Sequence, residues 1–418
     1  MARTILHIST RLILGGSQEN TVLSCEGQAQ RGHDVHLAYG PIYGPEGSLY
    51  DRAANFRTDS GARIGMHELP NLVREINPVK DHFCFHRDLK HLIREIRPDI
   101  VHTHSSKAGI LGRWAAWVAR DAEGPRKGQR PGVVHTIHGP PFMPAGGGAV
   151  ARTKTRVKNG VYTLAERFAA KRCDLILSVA DAMTEQFRAR GIGRDEQYIT
   201  VRSGMETEPF LHAREGEDRA SVRAELGLAE DAFVIGTVAR LAEHKGHDDI
   251  LSAMEEPMRA DPSIVLLWVG DGWWRDRLLA RAHSMGLRDR IVTTGLVGQE
   301  RVPAMMRAMD VLCHPSSREG LPRTVPQALL AGVCPVAYDV DGTGEACREM
   351  ETGRLVPHGD VAGLREALLW AQANPHDRLE LAAVGRDWCA AEFATEAMVE
   401  HLERVYDDAM ELAGRGVG

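Results

Sequence analysis

The segment 315–332, PSSREGLPRTVPQALLAG, holds the densest set of groups that could bind an anion and the hydroxyls of a ligand. Glu319 lies in a loop rich in Ser, Gly and Pro, where its carboxylate could accept hydrogen bonds from ligand hydroxyls. Gln327 follows about two turns further on, on a related face of the predicted helix. Pro322 or Pro326 is expected to open that helix, whose first N–H groups would attract phosphate. An ordinary strand–loop–helix connection with a solvated glutamate fits the same pattern.

A second segment, 236–246, reads GTVARLAEHKG and follows a predicted strand. Arg240 and Lys245 leave the carboxyl end of that strand, where both could reach a diphosphate and neutralise it without a metal ion. The alternative is a solvated basic loop that binds no ligand.

Two glycine pairs give weaker signals. Gly15 and Gly16 form a turn between the first predicted strand and a helix, but the segment lacks the GxGxxG pattern of a dinucleotide site. Gly270–Asp271–Gly272 is an equally weak match to that pattern. Neither pair on its own predicts a nucleotide site.

Two polar positions at predicted strand ends have both a chemical and a structural interpretation. His138 ends a strand and precedes a Gly/Pro-rich segment, 139–148, that we expect to be a mobile loop. A lone histidine is more often structural, yet catalytic groups collect at strand ends. Asp339–Val340–Asp341 resembles a metal-binding DxD, but its place before Gly342 favours turn chemistry.

These side chains must be positioned by alternating strands and helices. Alternation of short apolar runs with helical periodicity predicts parallel sheets covered by helices on both faces. Ten strands are expected: 4–9, 35–39, 100–103, 133–137, 175–179, 234–238, 265–269, 291–294, 311–314 and 335–338. Helix-length segments between them include 19–31, 89–95, 302–308 and 361–371.

The fold class predicted is α/β, with two Rossmann-like doubly wound domains that face a cleft, where a ligand would bind. We place the N-terminal domain at 1–208, the C-terminal domain at 209–395, and a C-terminal helix at 396–418 that packs back on the first domain. The segment 201–210 and the polar stretch 214–218 are interpreted as the linker.

Length and composition exclude several classes of protein. The 418 residues point to two or three domains, and 43% hydrophobic with 26% charged residues argues against disorder, coiled coil or a membrane bundle. The net charge of -6 argues against a nucleic-acid partner. It hides a net of +7 over residues 1–208 and of -13 over 209–418. Seven scattered cysteines and the absence of a signal-peptide pattern favour buried free thiols in the cytoplasm.

Taken together, the motifs resemble the retaining GT-B glycosyltransferases of family 4 over nearly the whole chain. Residues 234–246 resemble the family's phosphate-binding segment and 316–331 its donor-binding signature. The remaining matches, in chain order, are Gly15–Gly16, 31–35, 98–104, His138–Gly139, 269–272 and 294–297. The LPRxxPQA pattern at 321–328 and SSKAG at 105–109 are typical of bacterial surface-polysaccharide enzymes.

The resemblance implies a role for each matching residue. Arg240 and Lys245 would bind the donor diphosphate and stabilise the leaving nucleoside diphosphate, which makes the enzyme independent of metal ions and cofactors. Glu319, with the backbone of Gly320 and Leu321, would bind the donor sugar. The other implied roles are contact with the sugar near the reacting carbon for His138, backbone approach to phosphate for Gly15 and Gly16, and base binding near Val297.

One position departs from the family. A glutamate that binds ribose hydroxyls commonly follows the first by eight residues, and this chain has Gln327 there. An amide oxygen accepts hydrogen bonds more weakly than a carboxylate, so we expect weaker or altered ribose binding with catalysis retained.

The acceptor side is basic. Residues 101–172 contain 13 Lys+Arg against 3 Asp+Glu, and 152–168 could form a basic amphipathic helix on an anionic membrane surface. In this family the N-terminal domain holds the acceptor, often a lipid-linked sugar. We expect a glycan or polyprenyl-linked acceptor. We also expect a cytoplasmic enzyme that is peripheral on the inner face of the plasma membrane. The alternative is a soluble enzyme whose basic face is only solvated.

Three functions are compared. The first is retaining sugar transfer from a nucleotide sugar to a growing surface glycan. A nucleotide-sugar epimerase of the same fold is disfavoured, since Arg240 and Lys245 with Glu319 match the transferase pattern. A non-catalytic sugar-nucleotide sensor, with Gln327 as the sign of lost activity, is the third.

Overall fold

The computed structural model describes residues 2–43, 47–119, 128–142 and 148–415. The strands are Thr4–Ser9 (β1), Asp34–Tyr39 (β2), Gly65–Glu68 (β3), Ile100–His104 (β4), Gly132–Ile137 (β5), Leu175–Ser178 (β6), Tyr198–Thr200 (β7), Phe233–Val238 (β8), Ile264–Val269 (β9), Ile291–Gly295 (β10), Val311–His314 (β11), Cys334–Asp339 (β12) and Arg354–Pro357 (β13).

The α-helices are Gly16–Gln30 (α1), Tyr50–Asn55 (α2), Pro78–Phe83 (α3), Lys90–Ile96 (α4), Ser106–Val118 (α5), Ala149–Ala170 (α6), Asp181–Arg188 (α7), Glu208–Leu211 (α8), Arg219–Glu225 (α9), His247–Ala260 (α10), Arg275–Ser284 (α11), Val302–Arg307 (α12), Thr324–Leu330 (α13), Thr343–Ala346 (α14), Val361–Ala373 (α15), Pro375–Glu392 (α16) and Thr395–Arg415 (α17).

The chain forms two compact units. Unit 1 comprises Met1–Met205 and Thr395–Gly418, and unit 2 comprises Glu206–Ala394. The segment predicted as the linker, 201–210, spans the boundary between the units and ends within α8. Residues 143–147 of the predicted mobile loop lie outside the described residues.

Unit 1 is built on a seven-stranded sheet with the order β3-β2-β1-β4-β5-β6-β7, in which neighbouring strands are parallel. The last helix, α17, belongs to this unit because its apolar residues join the core formed by β1, β4, β5 and β6. Gly27 of α1 permits the contact, since a Cβ there would lie 2.6 Å from Val399 Cγ2. Glu403 forms an ion pair with Arg3 at 2.6 Å and a hydrogen bond with His33 at 3.0 Å, and both contacts hold α17 to the start of the chain.

Unit 2 is built on a six-stranded sheet with the order β10-β9-β8-β11-β12-β13, again with parallel neighbours. Its core gathers the apolar residues of these strands with those of α10, α11 and α15, including the fully buried Trp268 and Tyr338. The seven cysteines of both units are buried free thiols, as predicted.

The predicted fold class, two Rossmann-like α/β domains, is confirmed by these two parallel sheets with their helices. The ten predicted strands are all present, and each of their bounds lies within one residue of the prediction. The prediction missed β3, β7 and β13, which are short edge strands of their sheets. Edge strands are half-exposed and carry polar residues, so they lack the continuous apolar run that marks a central parallel strand.

Candidate active site

The carboxyl end of the unit 2 sheet holds a partly buried carboxylate, Glu319, between two basic side chains. Lys245 Nζ lies 2.5 Å from Glu319 Oε1, and His314 Nε2 lies 3.2 Å from the same oxygen. Burial alone would raise the pKa of Glu319, but the charge of Lys245 and the hydrogen bond from His314 outweigh it and hold that pKa well below its usual value. Glu319 is therefore an ionised hydrogen-bond acceptor at neutral pH.

Close approach of two loops creates this ion pair. Gly246 has φ of 71°, and a Cβ on it would lie 2.1 Å from the carbonyl oxygen of Pro315. Only glycine fits both constraints without strain. The Ser317 amide donates to the His244 carbonyl at 2.9 Å, which joins the lysine loop to the glutamate loop. The two segments first noticed in the sequence are thus neighbours in space.

The backbone of the glutamate loop is held by the turn that follows β12. The Glu319 amide donates to Asp341 Oδ2 at 2.7 Å, and the Gly342 amide donates to the Gly320 carbonyl at 3.0 Å. Asp341 has φ of 48°, a conformation that aspartate tolerates in turns. Asp341 lies in a turn, as predicted, whereas Asp339 is the last residue of β12. Asp341 positions the backbone of the glutamate loop.

Arg240 lies beside a small pocket at the same end of the sheet. The cavity has a volume of about 210 Å³ and is lined by the ends of β8 and β9, by Arg240 and by Val297. The Arg240 guanidinium also lies 5.6 Å from the ring centre of Trp273. The structure therefore places Arg240 next to the predicted base-binding position, Val297.

The glycines of Gly270–Asp271–Gly272 have a packing role in this region. A Cβ on Gly270 would lie 2.2 Å from the Ala239 carbonyl oxygen, and one on Gly272 would lie 2.3 Å from the Leu241 carbonyl oxygen. The Leu241 amide also donates to the Asp271 carbonyl at 3.1 Å. These close contacts fix the backbone on both sides of Arg240 and explain the glycines without a dinucleotide.

In unit 1 the predicted site residues also lie at a carboxyl edge. Gly15 precedes α1 and Gly16 is its first residue, after β1, and His138 directly follows β5. His138 Nε2 lies 3.0 Å from Nδ1 of His104, the last residue of β4. β1, β4 and β5 are consecutive strands of the sheet, so these positions share one end of it.

Two family models match the chain, one in each unit. Residues 15–204 match a glycosyl transferase 4-like domain, and residues 218–388 match the glycosyl transferases group 1 family. The chain belongs to the GT-B glycosyltransferases.

Several curated relatives of this transferase are known. A 2-deoxystreptamine glucosyltransferase of Streptomyces kanamyceticus is 31% identical over 258 residues, which are 60% of this chain and 66% of that protein. The UDP-Gal:alpha-D-GlcNAc-diphosphoundecaprenol alpha-1,3-galactosyltransferase of Escherichia coli is 28% identical over 87% of each chain. The putative glycosyltransferase EpsD of Bacillus subtilis is 26% identical and covers 78% of this chain and 81% of its own.

Solved structures share the fold of the transferase. HepE of Anabaena, crystallised with UDP and glucose, superposes with a TM-score of 0.75 at 17% identity and covers 97% of this chain and 99% of its own. Sucrose-phosphate synthase from Thermosynechococcus elongatus gives a TM-score of 0.77 at 19% identity, with 98% and 99% covered. The comparisons do not favour the epimerase or the sensor.

The carboxyl edge of each sheet contains residues that the sequence prediction passed over. His314 was recognised as a strand end, yet it contacts Glu319, and Asp341 was interpreted as turn chemistry without its bond to the Glu319 amide. His104 was part of a family motif without a role, and it contacts His138. Gln327 lies within α13 and its side chain is partly buried. A polar residue at the end of a buried strand was the signal available for both histidines.

Proposed function

We propose that the transferase moves a sugar from a nucleoside-diphosphate sugar to a lipid-linked or oligosaccharide acceptor in surface-glycan synthesis, with retention of the anomeric configuration. The observation that carries the proposal is the partly buried Lys245–Glu319 pair with Arg240 nearby at the same end of the unit 2 sheet. A nucleotide sugar offers a diphosphate for the two cations and hydroxyls for the carboxylate. Names of similar proteins agree, because one relative is a UDP-Gal-dependent galactosyltransferase and HepE was solved with UDP.

The donor is proposed to bind in unit 2 in three parts. The base occupies the 210 Å³ pocket near Val297, the diphosphate contacts Arg240 and Lys245, and the sugar hydroxyls donate to Glu319. The backbone of Gly320 and Leu321 lines the sugar position. Gln327 is assigned to the ribose hydroxyls, where it accepts a weaker hydrogen bond than a glutamate would.

The proposed mechanism is attack by the acceptor on the same face of the sugar from which the diphosphate departs. A double displacement needs a free carboxylate nucleophile, whereas Glu319 is paired with Lys245 and the Asp341 carboxylate accepts from a backbone amide. In front-face attack, Arg240 and Lys245 stabilise the negative charge that develops on the leaving diphosphate. His138 and the backbone of Gly15 and Gly16 are assigned to the donor sugar and its phosphate from unit 1.

We also propose that the reaction proceeds without a metal ion, because two side-chain cations supply the charge that a divalent metal would provide. Nucleoside diphosphate release should then continue in the presence of EDTA at the same rate as in its absence. Loss of activity in EDTA that returns with Mg²⁺ or Mn²⁺ would overturn this part of the proposal while leaving sugar transfer intact.

For the acceptor, an apolar groove in unit 1 supports a lipid-linked molecule. The groove has a volume of about 600 Å³ between α5 and α6, and its apolar lining includes Ile110, Leu111, Val157 and Val161. Val157 and Val161 are more than half exposed, although valine is usually buried. None of the helices in the described ranges is long and apolar enough to cross a bilayer.

The charges around this groove complement an anionic lipid. Arg74, Lys107, Lys154 and Lys158 line it, and of these Lys107 is paired with Asp81 at 2.6 Å. We propose that the hydrocarbon chain of a phosphorylated lipid occupies this groove and that its phosphate lies near the lysines of α6. The transferase would accordingly work at the inner face of the plasma membrane.

The function is tested by incubating the protein with a panel of nucleotide sugars, first in thermal-shift assays and then in assays of nucleoside diphosphate release. The expected result is stabilisation by one donor class and release that increases when a lipid-phosphate glycan acceptor is added. The anomeric configuration of the product, read by NMR, tests retention. Tight binding of a nucleotide sugar with no release under any acceptor would support the sensor instead.

A further inference from the structure

A chain of hydrogen bonds runs through the core of unit 1 from His138 to α17. Each link joins two polar side chains that lie on different elements. In order, the links are His138 Nε2 to His104 Nδ1 (3.0 Å), His104 Nε2 to His7 Nδ1 (2.9 Å), His7 Nε2 to Gln28 Oε1 (2.8 Å), Gln28 Nε2 to Tyr406 Oη (3.0 Å), and Tyr406 Oη to His102 Nδ1 (2.7 Å). We call this set the histidine chain. His102 Nε2 ends it at Thr136 Oγ1, 2.7 Å away.

The imidazoles inside the histidine chain are neutral. His7, His102 and His104 are each 1% exposed or less. Burial lowers the pKa of His7 to about 4, where the Gln28 hydrogen bond compensates only partly. Burial also holds the pKa of His102 and of His104 well below the usual value for histidine. A neutral imidazole has one donor nitrogen and one acceptor nitrogen. Where both nitrogens have partners, the tautomer of each ring fixes that of the next.

Gln28 sets the donor-to-acceptor direction of the hydrogen bonds in the histidine chain. Its amide nitrogen donates to Tyr406, so its oxygen faces His7, and a carbonyl oxygen can only accept. His7 therefore carries its proton on Nε2 and accepts at Nδ1 from His104 Nε2–H. His104 in turn accepts at Nδ1, and the donor to it is His138 Nε2–H.

We propose that Gln28 and Tyr406 act as positioning residues that set the tautomer of His138 through His7 and His104, so that neutral His138 keeps its proton on Nε2 and its acceptor lone pair on Nδ1. An acceptor nitrogen recognises a hydroxyl of the donor sugar, whereas the opposite tautomer would offer a donor. This last point rests on the proposed function, but the tautomer itself does not.

A metal site is the competing explanation of the same histidines. One ring nitrogen each of His7, His102 and His104 lies within 4.8 Å of the others, a spacing that a metal ion could use. Both ring nitrogens of each residue, however, already have a hydrogen-bond partner in the histidine chain. Ligation would require these bonds to break, so the geometry favours the chain.

The test reads the tautomer directly, in the protein without donor or acceptor. Protein labelled with ¹⁵N-histidine is studied by long-range ¹H–¹⁵N NMR, and the His138 ring is assigned by its loss in His138→Gln. The wild type should show a protonated Nε2 and an unprotonated Nδ1. Gln28→Met removes the acceptor for His7, and Tyr406→Phe lets the Gln28 amide turn over, so both variants should show a mixture of the two tautomers.

Tyr338→Phe is the matched control, because it removes another buried tyrosine hydroxyl, bonded to Asp249 at 3.0 Å, from unit 2. It should leave the His138 signals unchanged. If Gln28→Met fails to fold, Tyr406→Phe, which deletes one oxygen atom, carries the test. The proposal is overturned if wild-type His138 has its proton on Nδ1, if both variants keep the wild-type tautomer, or if the purified protein holds a stoichiometric metal ion.

An activity measurement then separates this proposal from the proposed function. Gln28→Met and Tyr406→Phe should lower kcat about tenfold and leave the KM for the acceptor unchanged, while Tyr338→Phe changes neither. Mixed tautomers in a protein that releases no nucleoside diphosphate would uphold the positioning role and overturn the function. Normal kcat with mixed tautomers would show that the tautomer does not serve transfer.

Discussion

The carboxyl edges of the two sheets differ in how they accommodate titratable side chains away from water. In unit 1, buried titratable side chains are neutral imidazoles that exchange hydrogen bonds from His138 to Tyr406. In unit 2, the partly buried carboxylate of Glu319 is ionised and paired with Lys245 at 2.5 Å. Neutral rings tolerate burial if each nitrogen has a partner, whereas a charge requires an opposite charge. Unit 1 thus orients a group, and unit 2 concentrates charge.

The largest effect is expected from breaking the ion pair. Lys245→Met leaves the partly buried Glu319 carboxylate without its cation and removes a charge from the proposed diphosphate site. We expect kcat to fall about 10² to 10³-fold, as for loss of one electrostatic transition-state contact, together with a lower Tm. Glu319→Ala should lose activity to a similar extent.

The matched control for these variants is Glu366→Ala, which removes an exposed glutamate from α15 of the same unit. It should keep full nucleoside diphosphate release and a normal Tm. Wild-type release by Lys245→Met would exclude Lys245 from the donor site.

As the pH falls, the sheet of unit 1, with its neutral buried histidines, should lose stability before the sheet of unit 2, with its ionised Glu319. The folded-state pKa values of His7, His102, His104 and His135 lie below the unfolded value of about 6.5, so the unfolded chain binds more protons as the pH falls from about 6.5. Each fully buried imidazole then costs up to about 1.4 kcal/mol of stability per pH unit.

Glu319 behaves differently. Its folded-state pKa is lowered, so its contribution to the free energy of unfolding is complete above the unfolded-state pKa of about 4.3. That contribution is lost only at lower pH. Hydrogen exchange between pH 6.5 and 4.5 should therefore show earlier loss of protection in β1 and β4 than in β11. His244 and His247 of unit 2 also have a lowered pKa, of about 4, and reduce this difference. Equal loss in both sheets would contradict the contrast.

The difference in net charge between the two halves of the sequence predicts that the basic half binds anionic membranes. Lys154→Glu with Lys158→Glu reverses two charges beside the groove on α6 and should weaken flotation with phosphatidylglycerol vesicles about tenfold. Val161→Asp should weaken it independently of salt, because it makes the groove polar. Lys171→Glu, which follows α6 and does not line the groove, is the control. Flotation of the wild type that is the same with uncharged vesicles would exclude the anionic-lipid interaction.

The smallest effect is expected at Gln327. Gln327→Glu should strengthen binding of the nucleoside diphosphate a few-fold, because a carboxylate accepts ribose hydroxyls better than an amide. Calorimetric titration measures the change, and kcat should stay within a factor of about two. An unchanged Kd would remove Gln327 from the ribose site.

Most of the fold could be predicted from sequence because buried parallel strands are continuous apolar runs, as in β1, β4 and β8. The prediction missed the edge strands β3, β7 and β13. These segments are strands because they pair with a neighbouring strand, and a sequence does not show that pairing. The same limit applies to the site. Glu319 and Lys245 were identified by residue type and motif, but their partner His314 depends on the register of β11 against β8 and β12.

The histidine chain illustrates the limit most clearly. Gln28 and Tyr406 are 378 positions apart, and neither belongs to a local pattern that indicates a hydrogen bond. Tyr406 reads from sequence as one apolar position of an amphipathic helix, and only the packing of α17 against β4 gives its hydroxyl a partner in His102. Polar contacts of this kind come from tertiary packing.

The place of α17 in unit 1 has a consequence for the order in which the protein folds during synthesis. Unit 2 is one uninterrupted stretch, Glu206–Ala394, whereas unit 1 needs Tyr406 and Val405 from the last helix to complete a core that begins at Ile5. The ribosome makes β1 first, yet its sheet must wait for residues synthesised nearly 400 positions later. We expect the second unit to become resistant to proteases on the nascent chain while the first is still open, which reverses the usual order of domain folding.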